Sequence, residues 1–144
     1  MEAMSATGAR GEPAGAQERG VVLVVEDDPL LQRALGRLLR SAGHRVELFD
    51  SVPAFLGSAL PEEATCLVLD LHLPDGNGFE ILDDLEARGT PVSAVVITAH
   101  GDVPTTVRAM QKGAVELLEK PFDNRRLLAS VADGLARASR ARQL

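Results

Sequence analysis

The sequence of 144 residues contains no Trp and no Tyr, only four Phe, and a single Cys. With so few aromatic side chains the sequence predicts no platform on which nucleobases stack, and a formal net charge of −6 disfavours contact with a phosphate backbone. The lone Cys66 excludes an internal disulfide and fits a reducing compartment. No apolar run is long enough to span a bilayer, and residues 1–19 lack the apolar core of a signal peptide. We therefore expect a cytoplasmic chain that by itself binds neither nucleic acid nor membrane.

The chain divides into a tail, one domain and a short basic end. Residues 1–19 contain little that folding could bury, which predicts a disordered tail. Residues 20–139 have the length and composition of one globular domain, and the scarcity of aromatics predicts an aliphatic core that includes Cys66. Residues 140–144 are predicted to be a basic tail. The basic residues at this end, Arg137, Arg140 and Arg142, are either the start of a linker to a further domain or cations placed favourably at a helix C-terminus.

Five short aliphatic runs alternate with segments of helical period. The runs, which predict strands, are Val21–Val25, Arg45–Phe49, Cys66–Asp70, Ser93–Thr98 and Val115–Glu119. Apolar residues at steps of three and four predict helices over Pro29–Ala42, Pro53–Leu60, Asn77–Arg88, Val103–Met110 and around Leu127–Leu135. Gly43, Gly89 and Gly113 follow predicted helices, where a left-handed residue commonly closes the last turn. The alternation predicts an α/β fold, a doubly wound parallel five-stranded sheet with helices on both faces.

Polar side chains end or follow four of the predicted strands. They are Glu26 and Asp27 after the first strand, Asp70 at the end of the third, Thr98 at the end of the fourth, and Lys120 after the fifth. Ligands of open parallel sheets bind at the carboxyl ends of the strands, so we expect these side chains to converge. Converging carboxylates repel one another unless a hard divalent ion such as Mg²⁺ intervenes. With that ion an Asp carboxylate can attack phosphorus while a Lys neutralises charge, which indicates a phosphoryl-transfer site.

Some neighbouring polar residues have structural explanations. Asp28 precedes Pro29 and has the pattern of a helix N-cap followed by proline at the first helical position. Asn77 lies in a Gly-rich turn and is placed to cap the next helix. His72 and His100 are expected to be exposed loop residues, because two His without a third ligand make a poor metal site. Taken singly, Thr98 would be an ordinary strand residue and Lys120 a surface charge, so the site hypothesis depends on the whole set.

The sequence resembles the receiver domain of two-component response regulators over about residues 21–138. The matching segments are Val24–Asp28, Leu69–Pro74 followed by Gly76 and Gly78, Ile97–Ala99, and Glu119–Phe122. The resemblance implies a flavodoxin-like (βα)5 fold with strand order 2-1-3-4-5. The segments Ala99–Pro104, Val107–Met110 and Gly113–Glu116 are further similar to the FixJ-like branch of LuxR/NarL-type regulators, which usually carry a C-terminal helix-turn-helix domain that binds DNA.

The resemblance implies a role for each site residue. Asp70 would be the phosphoryl acceptor and also a metal ligand. Asp27 would bind Mg²⁺, or Mn²⁺ as the alternative ion, directly, while Glu26 would bind it through water. The backbone carbonyl of His72 would complete the ligands from the protein. Lys120 would contact the phosphoryl group.

The resemblance also implies a switch. The Thr98 hydroxyl would turn toward the bound phosphoryl group and draw the following loop inward. The family's usual aromatic at the second switch position falls on Leu117, so a different packing change must report phosphorylation here. The Lys120–Pro121 bond matches a peptide bond that receivers usually hold in cis, an isomer that is rare among X–Pro bonds in general.

The function implied is that of a signalling module rather than an enzyme with an external substrate. Asp70 would accept a phosphoryl group from a sensor histidine kinase or phosphotransfer domain, and the chain would catalyse its own phosphorylation and dephosphorylation. The surface of the fourth helix, fifth strand and fifth helix would then change, often with formation of a homodimer. The expected output is transcription, through an effector domain outside these 144 residues.

Two alternatives are considered. A phosphohydrolase of the haloacid-dehalogenase type also uses a strand-end Asp, Mg²⁺ and a Lys, but it needs a second acid two residues after the nucleophile, where this chain has His72. A receiver-like docking domain that is never phosphorylated generally lacks one of the acids, the Thr or the Lys, and this sequence retains all of them. Both alternatives therefore fit the sequence less well than a phosphorylated receiver.

Overall fold

Alternating strands and helices build the chain in a computed structural model that describes residues 20–74 and 76–143. The strands of the main sheet are β1 (Val21–Val25), β2 (Arg45–Phe49), β3 (Thr65–Asp70), β4 (Val92–Thr98) and β5 (Ala114–Glu119). The helices are α1 (Pro29–Ser41), α2 (Val52–Leu56), α3 (Gly78–Arg88), α4 (Val103–Gln111) and α5 (Asn124–Arg142). A small antiparallel hairpin of His72–Leu73 and Gly76–Asn77 lies between β3 and α3.

The five strands of the main sheet pair in parallel in the order β2-β1-β3-β4-β5. The predicted doubly wound sheet of order 2-1-3-4-5 is thereby confirmed. Strand order reverses beside β1, since the chain moves from β1 to one edge and then returns past it to β3. The pairing aligns Val25 with Leu69 and Asp70 with Ile97, so the carboxyl ends of β1, β3 and β4 lie side by side.

Helices cover both faces of the sheet. On one face α2, α3 and α4 pack against the strands and bury Phe55 and Ile81 among others. On the other face α1 and α5 contribute Leu39, Leu127 and Leu135. Strands β1 and β3 are buried along their whole length because both of their faces are covered. The core is almost entirely aliphatic, as the composition predicts.

Local signals in the sequence explain several element boundaries. The Asp28 side chain accepts a hydrogen bond of 3.0 Å from the Leu30 N–H and caps α1, as predicted. Asn77 and Glu80 form a capping box that starts α3. Gly89 closes α3 with a φ of 70°, a left-handed conformation that glycine adopts without steric cost. Cys66 is buried, and burial raises the pKa of its thiol to about 12, so the thiol is unreactive.

Two helices and one turn differ from the expectation by more than a residue. Helix α2 ends at Leu56 rather than Leu60, because Gly57 caps it and Pro61 disfavours the helical conformation at the residue before it. Helix α5 spans Asn124–Arg142 and so extends beyond the predicted segment Leu127–Leu135 at both ends. The sequence predicts only a turn over residues 75–78, whereas His72–Leu73 and Gly76–Asn77 pair as a small hairpin. The predicted disordered tail, residues 1–19, lies outside the described residues. Among the described residues, no helix is long and apolar enough to cross a membrane.

Candidate functional site

Three carboxylates meet at the carboxyl edge of the sheet. Glu26, Asp27 and Asp70 each place one carboxylate oxygen within 4.8 Å of the others. They meet because Glu26 and Asp27 follow β1 directly, Asp70 ends β3, and these two strands are neighbours. Glu26 and Asp70 are only 1% and 4% exposed, whereas Asp27 is exposed. The cluster therefore has a buried side within the fold and an open side toward solvent.

Lys120 joins the buried members of this cluster. Its Nζ donates hydrogen bonds of 3.0 Å to Glu26 Oε1 and 3.0 Å to Asp70 Oδ2. Its backbone N–H donates to the Thr98 carbonyl at 2.8 Å, which fixes the start of the segment after β5 beside the end of β4. The Lys120–Pro121 peptide bond is cis. One ammonium thus lies among three carboxylates, and the site retains an excess of negative charge.

Burial and charge shift the pKa values in this cluster. Burial raises the pKa of Glu26 above its usual 4.5, and the nearby Asp70 charge adds to the effect, although hydrogen bonds from the Asp28 N–H and Lys120 oppose it. Burial alone would lower the pKa of Lys120, but its hydrogen bonds to Asp70 and Glu26 outweigh that effect, and the net shift is upward. Lys120 is therefore an ammonium at neutral pH.

The donor set fits a hard divalent cation. All three candidate ligands are carboxylate oxygens, the donors that Mg²⁺ prefers, and their mutual separations allow one ion to contact them together. An open cleft of about 470 Å³ adjoins them and is lined by Asp27, His72 and Asn77 among others. Mg²⁺ usually keeps several waters and binds through a few carboxylates together with a substrate phosphate, which suits a site open on one side.

Thr98 lies at the same edge and is fully buried. Its Oγ1 is 3.2 Å from His72 Nδ1 and accepts a hydrogen bond of 3.1 Å from the His100 N–H. The His72 N–H in turn donates to Asp70 Oδ1 at 2.9 Å. The His72 and His100 rings meet edge to face with centroids 5.5 Å apart. Both His are exposed, as expected, but sequence reasoning missed their contacts with Thr98 and with each other.

A signal for these contacts exists in the sequence. His72 follows Asp70 by two residues, and His100 follows Thr98 by two residues. Because β3 and β4 are paired neighbours, residues at equal distances beyond their ends are brought close together. Two imidazoles at matching positions beyond adjacent strands therefore predict a contact, provided that the strand order is already known.

Leu117 lies on β5 close to the loop that follows β4. It is half-buried and packs against the core on the α4 side of the sheet. A Cβ added to Gly101 would lie 3.4 Å from Leu117 Cδ2, so the loop backbone passes close to this side chain. The Gly101 N–H also points at Glu119 Oε2, at 3.4 Å. The loop of residues 99–102 is thus held by contacts from both β5 and the segment after β3.

Sheet order and the lysine-bridged acidic cluster together define a class of protein. Residues 22–132 match the family described as the response regulator receiver domain. The chain belongs to this family.

Similarity to individual members shows which branch of the family the chain resembles. It is 42% identical to the transcriptional regulatory protein FixJ of Azorhizobium caulinodans over 118 residues, which are 82% of this chain and 56% of that protein. It is 40% identical to nodulation protein W of Bradyrhizobium diazoefficiens over 128 residues, 89% of this chain and 56% of that protein. The chain therefore spans little more than half the length of these curated relatives and corresponds to the receiver domain of a FixJ-like response regulator.

Solved structures agree with this assignment. The structure of the response regulator StyR superposes with a TM-score of 0.79 at 46% identity, covering 85% of this chain and 62% of that one. Full-length FixJ from B. japonicum superposes with a TM-score of 0.75 at 38% identity, covering 87% of this chain and 62% of that one.

Proposed function

We propose that the chain is a phosphorylated receiver in which Asp70 accepts a phosphoryl group from a sensor histidine kinase or a phosphotransfer domain. The observation that carries the proposal is the position of Lys120, whose Nζ lies 3.0 Å from Asp70 Oδ2 within the cluster of carboxylates. An ammonium held at a carboxylate nucleophile is placed to contact the oxygens of an incoming phosphoryl group. Membership of the receiver family supports a histidine kinase as the partner.

The transfer can be written with its atoms balanced. An Asp70 carboxylate oxygen attacks phosphorus and an O–P bond forms, while the N–P bond of the donor phosphohistidine breaks and its electron pair stays on nitrogen. The donor's other ring nitrogen carries a proton, so the ring leaves as a neutral imidazole. Lys120 moves from the carboxylates to the phosphoryl oxygens and offsets their charge. A Mg²⁺ or Mn²⁺ ion held by Asp27, Asp70 and the His72 carbonyl, and by Glu26 through water, would supply further charge neutralisation. Attack of water on the acyl phosphate later releases phosphate and restores Asp70.

The chain itself then turns over no external substrate. A phosphohydrolase of the haloacid-dehalogenase type needs a second acid two residues after its nucleophile to protonate the leaving group. His72 occupies that position, and its ring is directed to Thr98. We therefore propose self-phosphorylation and self-dephosphorylation at Asp70 rather than hydrolysis of phosphate esters.

The proposed output is a change in the surface formed by α4, β5 and α5. Thr98 would turn to the phosphoryl group, and the loop of residues 99–102 would follow and move α4. Helix α4 buries only Ala109, so a change in its position disturbs little of the core. Val103, Val107 and Met110 are exposed along one side of α4 and offer an apolar stripe to a second phosphorylated copy.

Transcription is the proposed consequence of this change. FixJ of Azorhizobium caulinodans is a transcriptional regulatory protein, and the present chain covers 56% of it. We propose that the output is executed by an effector domain outside this sequence, in the cytoplasm. This chain itself, with a net charge of −6, is not proposed to contact DNA.

Intact-mass spectrometry tests the phosphoryl acceptor. The purified chain is incubated with acetyl phosphate and Mg²⁺, beside Asp70→Asn and the matched variant Asp28→Asn, in which Asn retains the N-cap of α1. We expect the mass increment of one phosphoryl group in the wild type and in Asp28→Asn, its loss in Asp70→Asn, and its loss when Mg²⁺ is chelated. No increment in the wild type, or one that persists in Asp70→Asn, would contradict the proposal.

A further inference from the structure

The Thr98 hydroxyl is committed to partners other than Asp70. It accepts a hydrogen bond from the His100 N–H at 3.1 Å and is 3.2 Å from His72 Nδ1. Within residues 20–74 and 76–143, no hydrogen bond joins Thr98 to Asp70. A hydroxyl can donate one hydrogen bond and accept two. Thr98 Oγ1 accepts one from the His100 N–H, and with His72 Nδ1 it either accepts a second or donates its proton, according to the tautomer of the imidazole. The hydroxyl is therefore engaged on the side of the His72 ring.

His72 contacts both Asp70, the proposed phosphoryl acceptor, and Thr98, the proposed switch residue. Its backbone N–H donates to Asp70 Oδ1 at 2.9 Å, while its ring reaches Thr98. The same ring packs edge to face against His100, at 5.5 Å between centroids, and His100 belongs to the loop that follows Thr98. A single residue thus connects the nucleophile, the hydroxyl and the loop.

We propose that the His72 imidazole is a positioning residue that holds the Thr98 hydroxyl away from Asp70 in the unphosphorylated chain. This inference rests on the proposed function, since it describes how the unphosphorylated state is favoured. A phosphoryl group on Asp70 offers charged oxygens, and a hydrogen bond to a charged acceptor is about twice as strong as one between neutral groups. Thr98 then leaves His72 for the phosphoryl oxygens, and the loop of residues 99–102 is released from the His72 ring.

The size of the effect follows from the neutral hydrogen bond that is lost. Its removal shifts the equilibrium between the two positions of Thr98 by about threefold to tenfold. A ligand that binds only the switched state gains apparent affinity by the same factor, because a larger fraction of the chain is already competent. The affinity for a phosphoryl mimic therefore measures how strongly the unphosphorylated chain favours the position of Thr98 beside His72.

The test titrates beryllofluoride with Mg²⁺ into the wild type, His72→Phe, Thr98→Val and the double variant, by calorimetry. Phe keeps a flat ring against His100 but cannot hydrogen-bond Thr98, and because His72 is exposed the substitution does not disturb the core. We expect His72→Phe to bind beryllofluoride about threefold to tenfold more tightly than the wild type. In the Thr98→Val background the same substitution should change affinity by less than about twofold, since its partner is gone.

His100→Phe is the matched control. It keeps the edge-to-face contact with His72 and the backbone N–H that bonds Thr98, so its affinity for beryllofluoride should stay within about twofold of the wild type. Equal or weaker binding by His72→Phe would overturn the proposal. So would an undiminished gain in the Thr98→Val background, because the effect would then not act through Thr98.

A second readout needs neither metal nor phosphoryl mimic. Hydrogen exchange of the unphosphorylated chain should show faster exchange at the His100 and Gly101 amides in His72→Phe than in the wild type. Unchanged exchange at both amides overturns the role of His72 even if Asp70 is phosphorylated normally. A wild-type chain that fails to bind beryllofluoride and is not phosphorylated at Asp70 overturns the proposed function instead, whatever the exchange shows.

Discussion

The Lys120 ammonium lies 3.0 Å from Asp70 Oδ2, although β4 lies between β3, which ends at Asp70, and β5, which Lys120 follows. The long Lys side chain crosses the end of β4 and reaches the acidic cluster, where it also bonds Glu26. Its half-buried position makes this pair stronger than an ordinary surface salt bridge, because solvent screens it less.

Removing this ammonium should slow phosphorylation. In Lys120→Gln the transferred group loses a charge partner, and we expect the rate of phosphorylation by acetyl phosphate to fall roughly a hundredfold. Lys112→Gln is the matched control, since Lys112 bonds Asp83 on the surface at 2.7 Å, away from the site. The rates are followed by intact mass. Equal rates in both variants would show that the Lys120 charge plays no part in the transfer.

Metal binding should depend on Asp27 and not on Asp28. Asp27→Asn removes one anionic ligand, and we expect the affinity for Mg²⁺ to fall about tenfold or more, whereas Asp28→Asn keeps its helix cap and should bind as the wild type does. Because the chain has no Trp, calorimetry rather than intrinsic fluorescence is the suitable measurement. Loss of Mg²⁺ affinity in both variants would mean that the whole acidic segment, and not Asp27, binds the ion.

Stability without metal should fall as the pH rises. The pKa of Glu26 is raised in the folded chain, chiefly by burial, above the usual 4.5 that it has when unfolded. The folded state therefore binds more protons than the unfolded state between these two values, and the free energy of unfolding decreases as the pH rises through that window. Glu26→Gln cannot titrate and should show a flatter profile in chelator. Denaturant melts at several pH values measure both chains, and a wild-type profile as flat as that of the variant would contradict this explanation.

Binding of Mg²⁺ should restore the stability that the metal-free chain loses as the pH rises. A divalent ion favours the ionised carboxylates and binds only the folded arrangement of Glu26, Asp27 and Asp70, so it stabilises the fold by mass action. At a free concentration one hundred times the dissociation constant, the gain in the free energy of unfolding is about 2.7 kcal/mol. Thermal melts with Mg²⁺ and with chelator measure it. Identical melting temperatures would be evidence against a metal at this cluster.

Dimer formation should depend on the apolar stripe of α4. Val107 is 47% exposed, and we expect Val107→Lys to weaken a phosphorylation-dependent dimer by about tenfold or more without preventing phosphorylation by acetyl phosphate. Leu30→Lys is the control, since Leu30 is 74% exposed on α1. Sedimentation velocity separates the species. A dimer weakened by Leu30→Lys and not by Val107→Lys would place the contact on the other face of the sheet.

The sequence predicts the fold well because its strands are unusually uniform. Runs such as Val21–Val25 are apolar throughout, and only a strand covered on both faces is buried in this way, so the start of each strand is found within one residue of its expected position. The end of α2 is harder to predict, because Leu60 keeps the four-residue apolar spacing from Leu56 while Gly57 caps the helix earlier. The apolar spacing and the capping residue predict different ends for α2, and the helix ends where the capping residue predicts.

Part of the candidate site can likewise be predicted from the sequence, and part cannot. That Glu26, Asp70 and Lys120 meet follows from their places after parallel strands, and the structure brings them to one edge. The direct bonds of Lys120 to both acids depend on side-chain rotamers, which no sequence pattern specifies. The contact of His72 with Thr98 further requires the pairing of β3 with β4, which is known only once the strand order is known.

Chemical trapping at residue 70 identifies the phosphoryl acceptor without any substitution in the chain. Borohydride reduces an aspartyl phosphate to homoserine, and peptide mass spectrometry then identifies the residue that carried the phosphoryl group. After treatment with acetyl phosphate and Mg²⁺, we expect homoserine at position 70 and at no other Asp, and none when Mg²⁺ is chelated. Homoserine at Asp27 or another acid, or no homoserine at all in a folded chain with Mg²⁺ present, would show that Asp70 is not the phosphoryl acceptor.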